Sequence, residues 1–151
     1  MTKVRIVEVG PRDGLQNISG ILPTSTKVRL IERLAESGLS IIEATSFVSP
    51  KWIPQLADAP QVLRGIKHLI ESKNKPIQFP VLVPNMKGLE LAHQNGVREI
   101  AIFVSATEGF SKKNINCTVD ESLRRLQEVA ERARVLGIKM RGYGVIIFLL
   151  I

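Results

Sequence analysis

An arginine, an aspartate and a glutamine are crowded into Gly10-Pro11-Arg12-Asp13-Gly14-Leu15-Gln16-Asn17, directly after the apolar run Val4 to Val9. Glu43 lies near the end of a second apolar run, Leu39 to Ala44. Asn85 follows Val83-Pro84, and Ser105, Thr107 and Glu108 follow Glu99 to Val104. Gathered at one place, these carboxylates, amides and one guanidinium suit a hard divalent cation with oxygen ligands and an arginine beside a developing oxyanion. An Arg–Asp pair on a loop is equally able to be a structural ion pair, and Glu43 to pair with a neighbouring base. His68 and His93 stand far apart in helical segments without ligand spacing, and Cys117 has no histidine near it in sequence.

These polar groups all follow apolar runs, so the elements around them decide whether they meet. One grammar recurs: an amphipathic helix, a glycine stop, then an apolar strand. It runs Lys27 to Ser37, Gly38, Leu39 to Ala44; then Lys87 to Asn95, Gly96, Glu99 to Val104; then Val119 to Leu136, Gly137, Ile138 onward. Thr118 and Glu121 form a capping box for the last helix, whose apolar face reads Val119, Leu123, Leu126, Ala130, Ala133. A strand over Ile77 to Val83, with Pro80 inside it, follows a helix around Gln61 to Ser72. Near-continuous apolar strands alternating with helices predict an α/β fold with a parallel sheet. Without a GxGxxG or phosphate-binding lysine loop, a TIM (β/α)8 barrel is favoured over a nucleotide-binding sheet. The chain then holds about the first four βα units plus a fifth strand, since a closed barrel takes about 250 residues. In such folds the loops after the strands build the active site, and Gly10 and Pro11 shape the first of them.

The 151 residues carry a net charge of +7, with 21 Lys and Arg against 14 Asp and Glu. The positive charges are scattered, aromatics are few and no recognition motif is present, which argues against nucleic acid as partner. The same bias suits an anionic small substrate. One cysteine excludes an internal disulfide and suits a reducing compartment. No targeting peptide is visible, and the apolar tail Val145 to Ile151 is too short for a membrane span. The compartment is otherwise undefined, with mitochondrial matrix, cytoplasm and peroxisome all open.

The runs VEVGPRDGLQN, IEATSFVSPKWIPQLAD, PVLVPNMKGLELA, KKNINCTVDESL and RGY, collinear from about Lys3 to Tyr143, resemble 3-hydroxy-3-methylglutaryl-CoA lyases. The Arg–Asp loop alone is common to a wider superfamily of metal-dependent lyases and synthases on TIM barrels. TSFVSPKW and KKNINC are more specific. The resemblance implies cleavage of 3-hydroxy-3-methylglutaryl-CoA to acetyl-CoA and acetoacetate, an acyl-CoA substrate, a divalent Mg²⁺ or Mn²⁺ cofactor and a homodimeric parent. It implies Asp13 as metal ligand, Arg12 as stabiliser of the enolate oxygen and Glu43 as a catalytic glutamate near both. It further implies that Gln16, Asn114 and Tyr143 join Arg12 in contacting substrate.

Residues 1–143 match the family's amino-terminal half, whereas the apolar tail 144–151 departs from it. The family's His-x-His metal ligands, a later asparagine ligand and a glycine-rich cysteine loop have no counterpart here. The expectation is therefore weak or absent metal binding, and a chain that neither folds stably alone nor catalyses. Two other readings stay open: a related acyl-CoA lyase or synthase, and a non-catalytic fragment that binds a full-length homologue.

Overall fold

A computed structural model describes residues 4–73 and 76–145. The strand elements are β1 (Thr45–Ser46), β2 (Val81–Leu82), β3 (Glu99–Ser105) and β4 (Lys139–Val145), all parallel and in sequential order. The helices are α1 (Thr24–Glu36), α2 (Ala59–Gly65), α3 (Lys67–Ile70), α4 (Met86–Gln94), α5 (Glu108–Ile115) and α6 (Val119–Val135). Short crossovers between parallel neighbours are the grammar of a (β/α) barrel, here seen in its first part.

The amino-terminal apolar run joins the sheet through one parallel bridge, Glu8 to Ile42, with Glu8 N donating to Ile41 O and Glu43 N to Glu8 O. The expected strand over Leu39 to Ala44 is likewise reduced to bridges at Ile41 and Ile42, and its regular ladder comes later, at β1. The reason lies in the register. Ile41 pairs with Gln78 and Thr45 with Val81, so four steps along one strand oppose three along the other. That extra residue is a bulge immediately after Glu43, a device that bends a strand and re-aims its side chains. The predicted helix around Gln61 to Ser72 is also two pieces, α2 and α3, interrupted at Ile66.

Each helix-to-strand glycine adopts a left-handed conformation, with φ of +98° at Gly38, +74° at Gly96 and +67° at Gly137. Only glycine enters that region without cost, so the three stops end their helices cleanly. The core lies between sheet and helices, where Ile31, Ile42, Ile66, Leu89, Ile100 and Val129 are fully buried. α6 starts as the capping box predicts: Thr118 Oγ1 accepts from Glu121 N at 3.1 Å and Thr118 N donates to Glu121 Oε2 at 2.9 Å. Its buried face differs from the predicted one, being Ser122, Leu126, Val129 and Ala133, while Leu123 is half exposed. Small side chains at 122 and 133 let the helix sit close to β3 and β4, which rotates the apolar stripe by about one residue.

A cavity of about 550 Å³ is lined by Arg5, Val7, Ile41, Gln78, Glu99, Lys139, Met140 and Arg141. Glu99 and Lys139 open β3 and β4, so this space sits toward the amino ends of the strands. The polar cluster described next lies further along them.

Candidate active site

The first loop after a strand is a single π-helical turn, Gly10–Gly14, in which Asp13 N donates to Val9 O at 2.7 Å. Pro11 fixes the entry to this turn and is buried, so the adjoining Arg12 and Asp13 stand on a rigid base. Glu8, just upstream, accepts from Gly10 N at 2.6 Å and pins the start of the turn.

Glu43 is the centre of the site. It has no exposed surface, yet three side chains converge on its carboxylate. Arg12 Nε donates to Oε1 at 2.5 Å, while Arg141 Nη2 at 3.1 Å and Tyr143 OH at 2.6 Å donate to Oε2. A buried carboxylate is retained only when paired and hydrogen-bonded, and here two guanidinium groups and a phenol do this. Arg12 Nη1 also donates to Asp13 Oδ1 at 2.7 Å, so Arg12 bridges both carboxylates. Its other three N–H donors, one on Nη1 and two on Nη2, make no hydrogen bond among the described residues and form an edge able to hold an anion.

β4 delivers the other half of the cluster. Ala101 pairs with Arg141 and Phe103 with Tyr143, so Arg141 and Tyr143, two residues apart, share one face of the sheet. Arg141 also donates to the Tyr143 hydroxyl and lies over its ring, 4.8 Å from the centroid. Burial, first, and the hydrogen bond to anionic Glu43, second, push the Tyr143 phenol up to about 12. The phenol thus stays protonated, a neutral donor throughout the physiological range.

The structure brings together Arg12, Asp13, Glu43 and Tyr143. Gln16 is half buried at the end of the same turn, and Asn114 is exposed on α5; neither has a described hydrogen bond to the cluster. Asn85 and Glu108, two other polar groups after strands, act as helix caps instead. Asn85 Oδ1 accepts from Gly88 N at 3.0 Å, and Glu108 accepts from Val119 N at 3.2 and 3.3 Å. Arg141 is the member that sequence reasoning overlooked, although its two-residue spacing from Tyr143 on a strand was the available signal.

The fit of a metal is limited. Asp13 offers a half-exposed carboxylate with one oxygen already on Arg12. Among the described residues there is no group of three His, Cys, Asp or Glu side chains able to hold a metal ion. These residues therefore do not make a metal centre by themselves.

A parallel sheet wrapped by helices, with a charged cluster on the loop after its amino-terminal bridging segment, just before β1 and on β4, defines the (β/α) barrel class of enzymes. Within that class the chain belongs to the HMGL-like family, whose model matches residues 3–146. It is 55% identical over 141 residues to the mitochondrial hydroxymethylglutaryl-CoA lyase of Bos taurus, covering 93% of this chain and 42% of the bovine protein. It is 52% identical over 140 residues to the cytoplasmic 3-hydroxy-3-methylglutaryl-CoA lyase of Mus musculus, covering 39% of that protein. The crystal structure of the hydroxymethylglutaryl-CoA lyase from Pseudomonas aeruginosa superposes with a TM-score of 0.86 at 46% identity, over 94% of this chain and 46% of that one. An HMG-CoA lyase from Acinetobacter baumannii, solved in complex with coenzyme A and 3-methylmalate, gives 0.82 at 35% identity, over 95% and 47%. The chain thus spans less than half the length of these relatives. Among the described residues no helix is long and apolar enough to cross a membrane.

Proposed function

We propose that this chain carries the enolate-stabilising part of a 3-hydroxy-3-methylglutaryl-CoA lyase site, acting on an acyl-CoA and yielding acetyl-CoA and acetoacetate. The observation that carries this reading is the Arg12 guanidinium, anchored by Glu43 and Asp13, with its remaining donors making no hydrogen bond among the described residues. Carbon–carbon cleavage leaves negative charge on the thioester oxygen of the departing acetyl unit. A preorganised guanidinium stabilises such charge without reorganising as it forms. Glu43, fully buried and engaged by three donors, orients Arg12 rather than moving a proton. Tyr143, protonated and held on Glu43, excludes water from the inner side of the pair and fixes its geometry. Asp13 would contribute one oxygen ligand, insufficient by itself for a metal centre, to a divalent cation that would supply polarisation of substrate oxygens. We assign residues 1–143 to the family portion of the chain and 144–151 to a departing tail, into which the family match extends as far as 146; residues 146–151 lie outside the described residues.

The test is acetoacetate release from 3-hydroxy-3-methylglutaryl-CoA with Mg²⁺ or Mn²⁺, alongside calorimetric binding of the same thioester. Arg12→Met lowers whatever turnover the chain shows by about 10²–10³-fold, the usual effect of deleting an oxyanion donor. In a chain without turnover, the same variant weakens thioester binding. Binding indifferent to Arg12 would sink the proposal.

A further inference from the structure

A second buried polar network lies away from the Glu43 cluster, and the family reading of the site does not use it. Lys27, on the first turn of α1, is only 3% exposed. Its ammonium donates to Asp58 Oδ1 at 2.6 Å and to the Gln55 carbonyl at 2.5 Å. Thr24 Oγ1 donates to the second Asp58 oxygen at 2.6 Å. The Gln55 side chain then reaches the other way, its Nε2 donating to the Ile18 carbonyl at 3.0 Å.

Three segments meet there. Ile18 belongs to the loop that runs on from the Arg12 turn, and Gln55 and Asp58 belong to the loop leaving β1, just beyond Glu43. Thr24 and Lys27 belong to the helix between them. Burying an ammonium is costly unless it is paired, and removing one partner leaves the other as an uncompensated buried charge. A surface lysine would close the helix onto its neighbour with less at stake, so the buried pair fixes a geometry rather than adding stability for its own sake.

We infer that Lys27 is a positioning residue: through Asp58, Gln55 and Ile18 it clamps together the two loops that set Arg12 against Glu43. This inference rests on the reading of that cluster as the site. Gln55→Ala is the discriminating variant, because it removes only the strut to Ile18 and leaves the Lys27–Asp58 pair in place. Lys27→Met, which strands Asp58, is the severe variant, and Lys27→Arg its charge-preserving control.

The experiment is amide hydrogen exchange on the full chain, together with the NMR signal of the Arg12 Nε–H, which the short bond to Glu43 shields from solvent. In Gln55→Ala, amides of Asp13, Leu15 and Asn17 exchange about tenfold faster, the equivalent of one lost hydrogen bond. Those of α4 and α6 are unchanged, and the Arg12 Nε–H exchanges faster in parallel. Lys27→Arg keeps the wild-type Arg12 signal and Lys27→Met loses it. Unchanged amides in the Arg12 turn, or acceleration spread evenly over the chain, would overturn the clamp. An Arg12 Nε–H unprotected in the wild type would overturn the site reading instead, and the amide comparison would still decide the clamp.

Discussion

The Tyr143 hydroxyl donates to Glu43 Oε2 at 2.6 Å across 100 residues of chain, joining the first strands of the sheet to the last. The contact bridges the segment just before the bulge after Glu43 and the strand β4 that pairs with β3. The cluster is therefore a property of the assembled sheet and of no single segment.

The single tyrosine makes this contact directly observable. In an alkaline titration followed by phenolate absorbance, Tyr143 ionises near 12, against an ordinary value of 10.0. Glu43→Gln removes the hydrogen-bonded anion, and the midpoint falls toward the ordinary value while burial keeps it somewhat above. The sign for stability follows from linkage. A raised folded-state value means the contribution of the neutral phenol is complete below pH 10 and is lost as pH rises through about 12. A wild-type midpoint at the ordinary value would contradict the contact.

Arg12 and Arg141 both serve Glu43 but not equally. Arg12 is 12% exposed and bonded at 2.5 Å, whereas Arg141 is 27% exposed and bonded at 3.1 Å. Arg12→Met should cost about 3 kcal/mol, the lower end for breaking a buried pair, since Glu43 keeps two donors. Arg141→Met should cost about 1.5 kcal/mol, the lower end for charge-assisted hydrogen bonds, because its bonds to Glu43 and Tyr143 lie nearer solvent and Glu43 keeps Arg12 and Tyr143. Urea unfolding of the two variants measures this difference, and the reverse order would refute the assigned geometry.

Much of this arrangement is legible in the sequence because it is local. Gly38, Gly96 and Gly137 end their helices through their own backbone, and Thr118 with Glu121 caps α6 within one turn. Arg12, Asp13, Glu43 and Tyr143 stand out by their place after or within strands and by family resemblance. What is hidden depends on distant partners. The bulge after Glu43 is a relation between two strands, and nothing near residue 43 announces it. The buried stripe of α6 is set by how closely Ser122 and Ala133 let it approach the sheet, which apolar periodicity alone misplaces at Leu123. Asn85 and Glu108 follow strands as the site residues do, yet neighbouring helix amides capture them.

α1 and α2 touch where Gly65 faces Val28. A methyl group added at Gly65 would overlap Val28 Cγ2, with Cγ1 at 3.3 Å and Cβ at 3.4 Å, and a β-branched valine on a helix strongly prefers one χ1 rotamer, so turning it aside is itself costly. Overpacking of this kind costs about 1–3 kcal/mol, against roughly 0.5–1 kcal/mol of helix propensity that alanine gains over glycine. Gly65→Ala therefore destabilises the wild type. In a Val28→Ala background the obstruction is gone and the same change stabilises. Thermal denaturation of the four chains checks the sign reversal; destabilisation in both backgrounds would place the cause elsewhere.

The capping box of α6 predicts an acid-side dependence of its own. Hydrogen bonds from Thr118, first from its backbone and then involving its side chain, hold the Glu121 carboxyl below its ordinary 4.5. A depressed folded-state value means that the stabilisation is present above the unfolded value and disappears as pH falls through the folded one. Glu121→Gln keeps a side chain that can close the same box but does not titrate. The wild type should melt higher than Glu121→Gln at neutral pH, with the two converging as the carboxyl protonates. Helix content of α6, followed by exchange at Glu121 and Ser122 amides, should fall over the same acid range in the wild type only. Parallel melting curves at every pH would show that the carboxylate's charge contributes nothing at this helix start.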